Sequence, residues 1–433
     1  MDVLTCGHVA YGGDGRLCPH LLREQDDLPH FRLLRGRGAE CDYICPDCEK
    51  AWSGGEPPDL VVACEGCVDR VESDTSEMRG WRGKPGILVR SEPYDLVDLG
   101  LLNLPPLASP RAIAPTKRGY VAMSADSTLS IFDGGWTTVP IPPIDVDKDD
   151  HSDQHKRPVV AVHASSDGCY AAVVYDYTEV GIVIHTASGT VLRTLERGGY
   201  HSEQTPFPCA FVDTPMGTAL VAATAWNRVD AIALGSDSVL TERGPTRYVR
   251  GEDRPEHFLD YFHGALHASP SGTWILDDGW YWHPVGIPRV WAVQPWLSSN
   301  VWESEDGESS AGLMQRVYHW DSPMCWIDDD RLAIWGLGTD DDYMLAGITV
   351  ISAAKKERVA VFVGPEGHLW SDGSRLFACH ADVLTVWDPM TGERTATLPG
   401  VQALLYNRWR DEFVVQTESG LSLARLKPAP AHP

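Results

Sequence analysis

From about residue 87 onward, short runs of alternating or continuous apolar residues are separated by turns of Gly, Asp, Ser and Pro, and no stretch keeps the spacing of a long amphipathic helix. Two octets, AVHASSDG (161–168) and ALHASPSG (265–272), each precede a strand-like run, CYAAVVY and TWILDDG. The same turn recurs in FVDTPMG ending at Gly217 and LWSDG ending at Gly373. APTKRG ending at Gly119, WIDDD ending at Asp330 and YNRWRD ending at Asp411 fill the same slot. The marks are 49, 49, 55, 58, 43 and 38 residues apart.

That interval is the length of one four-stranded blade, so the pattern predicts a mainly β fold, a β-propeller of about seven blades. One unit reads strand by strand: HLW, the turn SDGS, RLFACH, VLTVWD, the turn PMTGE and RTATL. The TVWD of 385–388 and the SIFD of 130–133 resemble the strand ends of WD-repeat proteins. Other units end in VIHT or VWAV, and Gly367-His368 lies inside an inner strand rather than at the start of a repeat. The resemblance therefore implies a divergent WD-like propeller over 81–427, with 1–80 a separate Cys-rich module and 428–433 a Pro-rich tail. After Asp411 only EFVVQT and LSLARL remain, so the last blade lacks an outer strand. An open edge invites aggregation, and GILVRSE (86–92) is the expected donor.

Charge narrows the partners. The chain carries 36 Lys and Arg against 61 Asp and Glu, a net charge of −25. Such a surface repels phosphate backbones, so nucleic acid is disfavoured and a protein or peptide partner is expected. Residues 1–80 hold 8 basic and 16 acidic residues, and HFRLLRGRG (30–38) is their one basic strip. No run is long and apolar enough for a membrane helix, and the start lacks the pattern of a secretory signal, so a cytoplasmic protein is expected.

Seven of the eleven cysteines lie in the first 67 residues. Cys45, Cys48, Cys64 and Cys67 form two Cys-x-x-Cys hooks joined by a segment rich in turn residues. Each hook can grip one face of a tetrahedral ion, so the four are expected to bind Zn2+; a rubredoxin-like iron centre uses the same geometry. Cys6, Cys18 and Cys41 with His20, or His8 in its place, supply donors for a second site. Four protein ligands leave no open position for water, so such sites are structural. The module resembles zinc ribbons and treble-clef-like modules. It departs from the RING pattern, because Cys6 and Cys18 make no Cys-x-x-Cys pair.

In the long remainder, His163, His267 and His368 occupy equivalent positions five residues before the marker glycine. They are expected to be core histidines pointing into separate blade interfaces. Aromatics crowd 274–302, and Trp280, Trp282, His283, Arg289 and Trp291 form the expected binding surface. DVDKDDHSD (145–153) has Asp150 where a calcium loop needs Gly and is expected to be a solvated loop. No phosphate loop or nucleophile elbow appears, and no catalytic residue is assigned. The expected function is a non-enzymatic protein-interaction scaffold. The alternative is a metal-dependent hydrolase or lactonase-like propeller enzyme with a site at the ring centre, which a convergent pair of carboxylates with a histidine near the channel mouth would favour.

Overall fold

The computed structural model describes residues 2–3, 9–10, 15–22, 31–34, 41–51, 60–63, 67, 89, 94–146, 156–246, 248, 253–339, 341 and 344–428. The chain divides into two compact units, residues 1–87 with 336–346, and residues 88–335 with 347–433.

The first unit is small. Strands β1 (Gly15–Leu17), β2 (Phe31–Leu34), β3 (Cys41–Ile44) and β4 (Val61–Ala63) form one sheet in the order β2-β3-β1-β4. β1 and β3 run parallel, with Leu17 opposite Tyr43. Helix α1 (Pro19–Leu22) follows β1 and helix α2 (Pro46–Ala51) follows β3. Proline suits the first position of a helix because the amide it lacks would have no partner there. The core holds Leu17, Leu21, Tyr43, Ile44 and Ala63 together with Cys18, Cys45 and Cys67.

The second unit is a succession of antiparallel sheets. The first contains Ile113–Pro115, Tyr120–Met123, Thr128–Phe132 and Trp136–Pro140. The second contains Val159–Ala164, Tyr170–Asp176, Val180–His185 and Thr190–Glu196. The third runs from Cys209 to Val239, and the fourth starts with Tyr261–Ala268 and Trp274–Tyr281 and is widened to six strands by two short additions. The fifth begins at Met324–Trp326 and the sixth at His368–Ser371. The last is built on Gln402–Asn407, Glu412–Thr417 and Gly420–Pro428.

The first strands of these sheets touch one another in chain order, and Gln402–Asn407 returns to Ile113–Pro115, so the circuit is closed. Each of the marked turns lies between the first and second strands of a sheet. Gly168, Gly217, Gly272 and Gly373 have φ of +75°, +111°, +74° and +103°, a region that glycine enters without a Cβ clash. Val173, Val174, Leu220 and Val221 on second strands are buried, and neighbouring sheets pack them into shared clusters.

The fourth strand of the last sheet is Tyr94–Leu101, paired antiparallel with Gly420–Pro428. This corrects the expected donor, 86–92, of which only Val89 lies among the described residues; it makes an isolated bridge to Arg394. The longer segment matches the nine-residue edge that it covers, and Tyr94 and Leu96 reach the cluster formed by the last two sheets.

Candidate functional site

Two places gather chemistry, one in each unit. In the first unit, Cys18 directly follows β1 and Cys45 directly follows β3, and the parallel pairing sets these strand ends side by side. The Cys18 amide donates to the Tyr43 carbonyl at 2.9 Å, and the Cys45 amide donates to the Cys18 sulfur at 3.3 Å. The first turns of α1 and α2 add His20 and Cys48. His20 Nδ1 lies 3.2 Å from Cys48 Sγ and 3.5 Å from Cys45 Sγ, and all four ligand atoms fall within 4.8 Å of one another. Cys18 and Cys45 are buried, Cys48 half-buried and His20 exposed. Burial and the neighbouring Cys45 push the Cys48 thiol up to about 12, and burial raises Cys18 as well. A cation bound among cysteine sulfurs favours their thiolate form.

The grouping crosses the two expected ligand sets. Cys45 and Cys48 come from the first, Cys18 and His20 from the second. Cys67 is buried in the same small core, outside this group of four. Cys6, His8 and Cys64 lie outside the described residues, as does the side chain of Cys41.

In the second unit, antiparallel order sends the turns between second and third strands, and the exits from fourth strands, to the same edge of every sheet. The loops bearing Tyr200 and His201, Trp226, Trp282, and Tyr318 to Asp321 therefore open on one face of the circuit. Trp280 is 3% exposed and stacks between Phe262 at 4.3 Å and Trp320 at 5.0 Å. Outside this stack, His201 lies 4.7 Å from Trp282, and Tyr200 packs 5.2 Å from Trp226. Trp282 is 52%, Tyr200 55% and Tyr318 64% exposed. Glu203 pairs with His201 at 3.3 Å, and its carboxyl is held low by its hydrogen bonds despite the opposing effect of burial.

This divides the expected binding surface. Trp282 and His283 are exposed, with Trp280 as their support. Trp291 is 1% exposed and belongs to the core between the third and fourth sheets. Arg289 is turned inward, donating to Tyr281 Oη at 3.0 Å, the Glu305 carbonyl at 2.8 Å and Ser310 Oγ at 2.7 Å. Tyr200, His201, Trp226 and Trp320 are added by loops that lie apart from 274–302 in sequence. Their only sequence signal is that each aromatic sits beside a turn.

Deeper on the same side, Arg111 donates to Asp176 Oδ2 at 2.7 Å and to Asp321 Oδ1 at 3.3 Å. Asp321 also accepts from Lys156 at 2.8 Å and from the Tyr177 hydroxyl at 2.5 Å. Burial, opposed by the charge of Asp176, lowers His163; burial together with the charges of His163 and Arg111 brings His267 to about 4. Burial and Arg111 lower His368 too. The charge of Arg111 thus reaches all three histidines. Asp176 and Asp321 meet at Arg111, and Arg111, Lys156, Tyr177 and the Phe207 amide occupy their carboxylate oxygens. Among the described residues, the group of four in the first unit is the one set of three or more Cys, His, Asp and Glu with ligand atoms at metal-binding separation.

No family model and no curated protein matches the chain. Among solved structures it is similar to a chain of one titled "Crystal Structure of Mitotic Checkpoint Complex". The two are 11% identical, the match covers 79% of this chain and 94% of that one, and the TM-score is 0.44.

Proposed function

We propose that the protein is a non-enzymatic interaction scaffold: a seven-bladed, WD-like propeller that binds a protein or peptide on its aromatic face, joined to a zinc-stabilised first unit. The observation that supports the binding role is the exposed pair Tyr200 and Trp282, carried on a stack of buried rings. Large amphipathic rings held rigid lose little entropy on contact and dominate interface energies. The partner segment is cationic. Glu179 and Glu203 flank Tyr200 and His201, the chain carries −25 overall, and aromatic faces attract Lys and Arg.

Binding is tested by titrating short labelled Arg/Gly and Glu/Gly peptides into the full chain at moderate salt. The Arg peptide binds, and Trp282→Ala weakens it by about 2 kcal/mol, roughly 30-fold. Equal binding of both peptides, or an unchanged Trp282→Ala variant, removes the reading.

A second reading, an enzyme at the ring centre, draws on Asp176 and Asp321 meeting at Arg111, with the charges of these carboxylates reaching His163 and His267. It requires that substrate displace Arg111 from the carboxylates. Hydrolysis of ester or lactone substrates that is abolished by Asp321→Asn would favour it over the scaffold.

A further inference from the structure

We infer that Cys18, His20, Cys45 and Cys48 hold one tetrahedral zinc ion, with His20 bound through Nδ1. This rests on the reading of the first unit as zinc-stabilised, and it names the ligands and their origin.

The two halves of the site are built alike. In each, a strand delivers a cysteine at its end, a proline opens a short helix, and the first turn adds a second donor: Cys18-Pro19-His20 after β1, Cys45-Pro46-Asp47-Cys48 after β3. Because β1 and β3 are parallel neighbours, both corners turn over the same end of the sheet. The amide of Cys45 donates to the sulfur of Cys18, so each corner holds the other in place before any ion is considered.

The spacing fits the ion. Zinc–sulfur bonds of about 2.3 Å and zinc–nitrogen bonds of about 2.0 Å make a tetrahedron whose S···N edges are near 3.5 Å. The separations of 3.2 and 3.5 Å from His20 Nδ1 to Cys48 and Cys45 are edges of that size. Three thiols and an imidazole select zinc over calcium or magnesium, which take oxygen ligands. With four protein donors the shell is closed to a reacting water, so the ion acts as a staple. It joins the corner after β1 to the corner after β3, beside the core that holds Leu17, Leu21, Tyr43 and Ile44. On the His20 side the site meets solvent, which gives chelators a way in.

The test uses the full chain, with metal content by elemental analysis and the visible spectrum after replacement by Co2+. Wild type carries zinc, and Cys18→Ser and His20→Ala each remove one equivalent. His20→Cys keeps four donors and folds around the ion. Its Co2+ form retains the intense bands of tetrahedral geometry and moves them to longer wavelength as a fourth thiolate replaces the imidazole. Full metal content in Cys18→Ser and His20→Ala, with an unchanged Co2+ spectrum in His20→Cys, overturns the ligand assignment and leaves a zinc-stabilised unit standing. A wild-type chain that contains iron, or no metal at all, overturns both.

Discussion

Leu96 lies directly opposite Leu426 in the last sheet, so a strand from the beginning of the second unit completes a sheet otherwise made from its end. Leu426 is buried in the cluster that also takes in Tyr94, Leu96, Phe377 and Phe413. Across the adjoining seam the Tyr120 hydroxyl donates to Glu412 at 3.1 Å, and the Asn407 side-chain amide donates to the carbonyls of Thr116 and Gly119.

Truncating that seam should loosen the whole circuit. Leu426→Ala removes a buried branched side chain and is expected to cost about 2–5 kcal/mol. A chemical-denaturation midpoint for the second unit that falls by less than the equivalent of about 1 kcal/mol would show that the closing strand contributes little.

Asp321 ties three segments together through Arg111, Lys156 and Tyr177, and its own carboxyl is held low by those two cations against the effect of burial. Both cationic side chains are about half exposed, so solvent screens part of their attraction. Asp321→Ala is expected to destabilise by about 1–3 kcal/mol, less than loss of a fully buried ion-pair partner. Arg111 retains Asp176, so Asp321→Ala with Asp176→Ala should cost more than the sum of the single changes. Additivity in that cycle would mean that the two carboxylates do not act through Arg111.

Acid and base act on this unit in opposite senses at buried Asp278 and half-buried His267. Burial pushes Asp278 up to about 7 although Arg316 stands 3.7 Å away. Between the unfolded value near 3.9 and about 7, the folded chain keeps a proton that the unfolded chain has lost, so this group lowers stability as pH rises. His267, brought down to about 4, does the reverse: below about 6.5 the unfolded chain gains a proton that the folded chain refuses, and stability falls as pH falls. Urea midpoints at pH 5 and pH 8 separate the two. Relative to wild type, Asp278→Asn should gain stability at pH 8, and His267→Gln should gain it at pH 5. Parallel pH dependence in either variant would remove that group from the account.

Gly286 is packed so closely that a Cβ there would run into the carbonyl of His319 and press on Trp320. Gly286→Ala should therefore push the 318–321 segment outward, taking Trp320 off Trp280 and Asp321 off Arg111. Tryptophan fluorescence should change, and binding at the aromatic face should weaken by roughly tenfold, about 1.4 kcal/mol. Unchanged fluorescence would mean that the segment yields without moving the stack.

The turns and the succession of short strands in the second unit were written in local chemistry. A glycine with positive φ sets four of the first turns, at Gly168, Gly217, Gly272 and Gly373, and alternating or continuous apolar runs set the strands beside them. Cysteines grouped near the start mark a separate unit with candidate metal ligands. Neighbouring residues carry these signals, so they can be read along the chain.

Which residues meet was decided by tertiary structure. Cys45 and Cys48 face Cys18 and His20 because β1 and β3 pair in parallel, a long-range choice that Cys-x-x-Cys spacing does not encode. The closing strand is Tyr94–Leu101 because an eight-residue segment fits the waiting edge. Trp291 is buried and Trp282 exposed because the first lies in a strand covered on both sides by neighbouring sheets, and the second in the turn just past a strand end. Composition places aromatics near one another in sequence; only the packing of sheets around a closed circuit determines which of them reach solvent.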